Sequence, residues 1–254
     1  MLRNAKDLHG FKIRATDGDF GTVDQLYFDD ETWAVRYLIV ETGDWLVGRV
    51  VMISPLSVVH ADWQAKRLDV ALAKKQVADS PDINTHQPVS RQHEAAFNQY
   101  YGYPHYWSGP SLYGPGPYLD GTEELENQSA DSHLRSNEAV TGFHIEAADG
   151  EIGHVAGFIV DDEAWVIRYM EVATRNWWPG KKVLVSPGWI DRMNWPDAKV
   201  YSGLSRKAIQ SAPEYVESAP ITREYENGLY AHYGRPPYWL HQAEYESSLS
   251  LSGG

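Results

Sequence analysis

The chain contains no cysteine. That excludes disulfides, thiolate nucleophiles and Cys-ligated zinc together. Long hydrophobic runs are also missing, since no apolar stretch approaches the roughly 18 residues of a membrane span. The first residues, Met1-Leu2-Arg3-Asn4-Ala5-Lys6-Asp7, lack the apolar segment of a signal peptide. Positive charge is scarce, with 22 Lys+Arg against 35 Asp+Glu and a net charge of -13. A surface this acidic repels phosphate backbones, so no nucleic-acid partner is expected. There is no Gly-rich phosphate loop, no GxSxG turn and no HExxH pair. The expectation is a soluble, cytoplasmic, non-enzymatic protein without catalytic residues, cofactor or metal.

What is present is a repeat. Shifted by 132 residues, the chain matches itself without a gap from Leu2 to Trp107. Leu2-Arg3 falls on Leu134-Arg135, Gly10-Phe11 on Gly142-Phe143, Asp17-Gly18 on Asp149-Gly150 and Asp29-Asp30-Glu31 on Asp161-Asp162-Glu163. Ser54-Pro55 falls on Ser186-Pro187 and Tyr106-Trp107 on Tyr238-Trp239. Roughly a third of the paired positions are identical, which chance does not produce over this length. The segment 108–133 is rich in Gly, Pro and Ser, with five acidic residues and no Lys or Arg. It cannot bury a core and reads as a linker. The organisation is therefore unit 1–107, linker 108–133, unit 134–240 and tail 241–254.

Within a unit the apolar period is two, the signal of strands. Strands are expected at 11–14, 22–28, 33–41, 49–53, 58–61 and 67–71, with Asp17-Gly18-Asp19 and Asp29 to Thr32 as turns. Six short strands with one apolar face suggest a small closed barrel. On the third strand Ala34, Arg36, Leu38 and Val40 share the core side. Tyr37 and Ile39 share the other, which Glu171, the partner of Ile39, marks as partly wet. A helix is expected over 91–101 and 223–233. Ser90 and Thr222 are its N-caps, and Gly102 and Gly234 follow its end. Its stripe, His93, Phe97, Tyr100 and Tyr101 or Tyr225, Leu229, His232 and Tyr233, should dock on the aromatic outer face. Tyr106-Trp107 and Tyr238-Trp239 should fold back on it.

The runs DDETWAVRYLIV at 29–40 and GRVVMISP at 48–55 resemble the PRC-barrel family, as do 161–172 and 181–187. The family is named for the cytoplasmic domain of the photosynthetic reaction-centre H subunit and includes the C-terminal domain of the ribosome maturation factor RimM. The resemblance covers about two thirds of the chain. It implies a mainly β fold, two small six-stranded PRC-type barrels in tandem, each followed by a C-terminal helix. The expected function is an interaction or assembly module, with a small-ligand or ion-binding protein as the alternative, and the resemblance alone adds peripheral association with a membrane complex. Two departures stand out. H subunits carry an N-terminal membrane helix and RimM a separate leading barrel, and these 254 residues contain neither.

Three groups of residues are the candidates for function. Arg36 and Arg168 are charges on an otherwise apolar strand face, so each needs a carboxylate or an anionic ligand. Asp29 and Asp30, with Asp161 and Asp162, are the nearest carboxylates. They form a structural ion pair, an anion site or, with the adjacent glutamates, a cation site. Trp45, Trp177 and Trp178 sit in turns where core packing explains them least, and are candidate interface anchors for a protein partner or self-association.

Overall fold

The computed structural model describes residues 1–81, 89–108, 133–174 and 181–240. The strands of the first copy are β1 (Leu2–Asn4), β2 (Lys12–Ala15), β3 (Gly18–Asp29), β4 (Val35–Glu41), β5 (Val50–Ile53), β6 (Val58–Asp62) and β7 (Arg67–Val70). Those of the second are β8 (Leu134–Ser136), β9 (His144–Ala147), β10 (Gly150–Asp161), β11 (Val166–Thr174), β12 (Lys182–Val185), β13 (Ile190–Asn194) and β14 (Lys199–Ser202). The helices are α1 (Lys74–Ala78), α2 (Arg91–Tyr101), α3 (Asn137–Val140), α4 (Arg206–Gln210) and α5 (Arg223–Tyr233).

The strands form two seven-stranded sheets of identical order. One runs β5-β4-β3-β2-β7-β6 with β8 on β3, and the other runs β12-β11-β10-β9-β14-β13 with β1 on β10. The ladders β2–β3, β3–β4, β4–β5, β6–β7, β9–β10, β11–β12 and β13–β14 are antiparallel, and β2–β7 and β9–β14 are parallel. The expected closed six-stranded barrel differs from this in two ways. Among the described residues no ladder joins β5 to β6 or β12 to β13, so neither sheet closes. The cause lies at Ser54-Pro55 and Ser186-Pro187, where a proline without an N–H opens a 3-10 turn and redirects the chain. The seventh strand was invisible in the pattern because it is only three residues long.

The chain forms two compact units. One holds Arg3–Thr141 with Gly157–Arg168, and the other holds Gly142–Ala156 with Tyr169–Gly254. The β8 strand and α3, which open the second copy, therefore belong to the first unit. There β8 pairs antiparallel with β3, Phe28 opposite Arg135. In the same unit Trp33 (φ 61) and Trp165 (φ 51) both adopt the left-handed region. Their carbonyls accept from the Ile167 and Val35 amides at 2.8 and 2.7 Å, flanking an Ala34–Val166 bridge. Trp33 stacks on Phe28, which also meets Phe158. Two strained backbone positions persist because ladder bonds and ring packing hold them in place.

One close approach requires glycine in both copies. A Cβ at Gly21 would lie 2.4 Å from the Glu41 carbonyl oxygen, and one at Gly153 2.0 Å from that of Ala173. The bend of the long strands β3 and β10 depends on these two residues.

Every residue of β4 from Val35 to Val40 is buried, so the strand is covered on both sides. The face of Tyr37 and Ile39 carries the helix, with Met52, Val89, Phe97 and Leu134 completing the cluster. The α2 helix starts at Ser90, whose hydroxyl accepts from the His93 amide, and ends at Gly102 with φ 70. The α5 helix repeats this with Thr222 and Gly234. Its buried stripe differs from the expected one, because Glu94 and Glu226 lie on it while Tyr100 is 42% exposed. Glu171 likewise departs from the reading as a wet position. It is 1% exposed, and its carboxylate lies 2.5 Å from the Lys182 ammonium.

Candidate functional site

The hairpin Asp29-Asp30-Glu31 assigns each aspartate a different task. Asp29 Oδ1 accepts from the amides of Glu31 and Thr32 at 3.0 and 2.9 Å, closing the turn. Its other oxygen faces the Arg36 guanidinium at 3.5 Å. Asp161 repeats both contacts, with Glu163 and Ala164 amides and with Arg168 at 3.4 Å. Asp30 takes the Arg135 Nε–H at 2.8 Å and His133 Nδ1 at 2.9 Å. Asp162 takes Arg3 at 3.4 Å and the Met1 ammonium. Arg3 and Arg135 are themselves repeat partners, so the exchange is reciprocal. All these residues belong to the first unit. A cation held by the first turn would have to displace two guanidinium groups, and one held by the second two guanidinium groups and an ammonium.

Arg36 is nearly sealed, with its side chain 3% exposed. Besides Asp29 it donates to Thr32 Oγ1 at 3.1 Å, and its carbon centre lies 3.6 Å from the centre of the Tyr106 ring. Its charge is matched by Asp29 and its plane by an aromatic face. Arg168 is less covered, at 16%.

Behind the Tyr106 ring lies a buried polar cluster that periodicity did not reveal. Glu94, at the fourth helical position of α2 after the Ser90 cap, is 0% exposed. It accepts from Tyr106 Oη at 2.5 Å, Tyr37 Oη at 3.1 Å and Arg91 Nη1 at 3.2 Å. Arg91 in turn covers the Trp107 ring at 4.5 Å, so the Tyr-Trp segment does fold back on the helix. Burial pushes the Glu94 carboxyl up to about 7, while Tyr106, Arg91 and Tyr37 pull the other way. Burial and the Glu94 charge raise the phenols of Tyr37 and Tyr106. The second unit repeats the cluster. Glu226 accepts from Tyr169 at 2.7 Å and lies 3.1 Å from Arg223, which covers Trp239 at 4.0 Å. The signal available in the sequence was the shared Arg-x-x-Glu at 91–94 and 223–226 together with Tyr37 and Tyr169.

A small pocket opens beside this cluster in the first unit. It is lined by Arg36, Tyr37, Ser54, Leu56, Asn98, Pro104 and Tyr106, and encloses about 270 Å³ including its open mouth. Glu94 itself is too deep to act on a bound molecule, and the tyrosines facing it are held in their neutral form.

Of the candidate interface residues, Trp45 is half-buried, packed on Phe20 at 5.6 Å and under the Lys74 ammonium at 4.9 Å. Trp177 and Trp178 lie outside the described residues. One further cluster, His9, Asp24 and Glu138 of the first unit, places potential ligand atoms within 4.8 Å of one another. His9 Nδ1 is bonded to the Asp24 carbonyl at 2.8 Å, and no His spacing pointed to it. Among the described residues no helix is long and apolar enough to cross a membrane. No protein-family model matches this sequence, and no curated protein matches it.

Proposed function

We propose that this protein is a non-enzymatic interaction or assembly module, built from two PRC-barrel-like units and working in the cytoplasm. One observation supports the reading above the others. The edge strand β6 has a single ladder partner among the described residues, and Val59 on it is 67% exposed. Its run Val58-Val59-His60-Ala61 carries no formal charge, whereas β13 has Asp191 and Arg192 at the matching positions. Charge on an edge strand blocks pairing with another chain, and on β6 that protection is confined to Asp62 at its end. An uncharged edge is suited to receive a strand from a protein partner or from a second copy. Peripheral association with a membrane complex, in the manner of a reaction-centre H subunit, rests on the resemblance alone.

The test compares the whole chain with Val59→Asp and Trp45→Ala. Self-association is read by sedimentation, and partner capture by pull-down from the native cytoplasm. Val59→Asp should lower one of the two at least tenfold with the melting temperature unchanged. Equal association and capture by Val59→Asp and wild type would reject the edge as the interface. A large fall in melting temperature for Trp45→Ala would place that tryptophan in the core.

A second reading is small-ligand binding at the pocket beside Arg36. It is favoured by the open space there and by a buried amide, Asn98, that faces it.

A further inference from the structure

Asp29, Asp30, Asp161 and Asp162 are each matched by a guanidinium or ammonium group. Asp24 and Glu138 are not, and they lie together. With His9 they bring one ligand atom each within 4.8 Å of one another. Among the described residues the ion pairs of Asp24 are confined to His9, at 4.0 Å, and Glu138 forms none. Two carboxylates this close repel one another, and a cation between them removes the repulsion.

Three separate elements carry the ligands. His9 closes the 3-10 turn Ala5–Leu8. Asp24 is the extra residue of a bulge in β3, between Val23 opposite Val40 and Gln25 opposite Ile39. Bulges re-aim a side chain out of its ladder. Glu138 stands in the first turn of α3, which is fixed to β3 by the Leu26 amide donating to Asn137 Oδ1 at 2.7 Å. Asp24 Oδ2 accepts from Gln25 Nε2 at 3.0 Å, and Gln25 accepts in turn from the Ser136 hydroxyl that caps α3. That leaves Asp24 Oδ1 facing His9 Nδ1. Supporting hydrogen bonds of this kind orient the ligands of metal sites. The fold does not demand the three residues. Their repeat partners are Thr141, Ala156 and Lys6, so the second copy lacks the imidazole and both carboxylates at once.

We propose that His9, Asp24 and Glu138 bind a divalent transition-metal ion, with zinc the best match. One nitrogen and two carboxylates suit zinc, with water in the fourth position. Calcium calls for six to eight oxygens, more than this set supplies. Four-coordinate zinc holds its ligands about 3.3 Å apart, so rotation of the exposed His9 and Glu138 side chains closes the site. His9 Nδ1 donates to the Asp24 carbonyl at 2.8 Å. To ligate, the neutral imidazole gives up that proton to water and takes one at Nε2, which frees the Nδ1 lone pair for the ion. The bound ion ties α3 to β3 and to the first 3-10 turn, segments far apart in sequence, and so stabilises the first unit.

The experiment titrates zinc chloride into the full-length protein, stripped beforehand with EDTA, by isothermal calorimetry. Magnesium and calcium chlorides are the hard-cation comparisons, and the melting temperature is followed in parallel. Wild type should bind zinc at least tenfold tighter than either comparison, with a rise in melting temperature. His9→Thr, Asp24→Ala and Glu138→Lys each install the second-copy residue. Each should weaken zinc binding at least tenfold and remove the rise in melting temperature, with the circular dichroism spectrum retained. Three positions keep the test decisive if one variant fails to fold. Absence of zinc binding up to about 1 mM overturns the proposal. So does an affinity unchanged in the folded variants, which would place the zinc elsewhere on the chain. Calcium bound as tightly as zinc overturns the transition-metal assignment.

Discussion

Glu94 provides the sharpest test of how the helix is held to its sheet. The carboxyl is wholly buried, and its pKa is pushed up to about 7 from an ordinary 4.5 by loss of water. The folded state therefore holds this proton more tightly than the unfolded chain does. Between pH 4.5 and 7 folding takes up protons, so stability falls as pH rises. The favourable contribution is complete below pH 4.5 and gone above about 7. Two and a half units at about 1.36 kcal/mol each give a change of about 3 kcal/mol. Glu94→Gln removes the titration and keeps Oε1 as the acceptor for both tyrosines, while an amide replaces the oxygen that faces Arg91. Urea denaturation of both proteins from pH 4 to 8 isolates the effect, since all other groups cancel in the difference. Wild-type stability minus variant stability should fall by about 3 kcal/mol across that window. A difference constant to within about 0.5 kcal/mol would show that Tyr106, Tyr37 and Arg91 keep the carboxylate charged, and that burial is the weaker effect.

Two further outcomes follow from buried charges. Arg36→Ala should destabilise the first unit by about 3–5 kcal/mol, because Asp29 is left buried without its guanidinium, and Arg36→Lys should recover only part, since an ammonium cannot lie flat on Tyr106; equal stability of Arg36→Ala and wild type in urea would refute this. The Glu171–Lys182 pair occupies positions that hold Ile39 and Val50 in the first copy, so Lys182→Val alone should cost about 3 kcal/mol, while Glu171→Ile with Lys182→Val should be neutral or more stable, as read by melting temperature.

Strand periodicity and cap chemistry placed most elements within one to four residues, and α2 and α5 at their observed bounds. They succeeded where one rule acted alone, as at Ser90 and Gly102. They failed where burial and polarity diverge. Glu94 was left out of the expected stripe because a carboxylate is rarely sealed, and its partners Tyr37, Tyr106 and Arg91 make its burial tolerable. Glu171 failed for the same reason, its partner Lys182 lying on the neighbouring strand. The aspartate–arginine pairs within each copy were legible from their spacing of seven. The Asp30–Arg135 contact, across 105 residues, was not, because nothing local signals the three-residue strand that carries it. The pocket was invisible because an asparagine in a helix announces nothing until its repeat partner is seen to be a buried tyrosine.

The differences between the copies are more informative than their identities. Identical positions, Asp29 and Asp161, Arg36 and Arg168, Gly21 and Gly153, Trp33 and Trp165, are those the fold cannot exchange. They close turns, match charges, allow strands to meet or hold a strained backbone. Three divergent positions point in one direction. Where the first copy leaves an uncharged edge at Val59, the second places Asp191; where the first leaves a slot beside Asn98, the second fills it with Tyr230; where Ser57 stands in the first, Trp189 closes over that ring in the second. Leu56 against Gly188 runs the other way, and Trp189 beside the glycine supplies the missing cover. A substitution that completes a core in one copy and leaves it open in the other is hard to account for by stability alone. An open slot with a buried unpartnered amide lowers stability, and an uncharged edge risks unwanted pairing. Both costs fall on the first copy, and both are offset if the first copy is the one that makes contact with other molecules and the second is its structural counterpart.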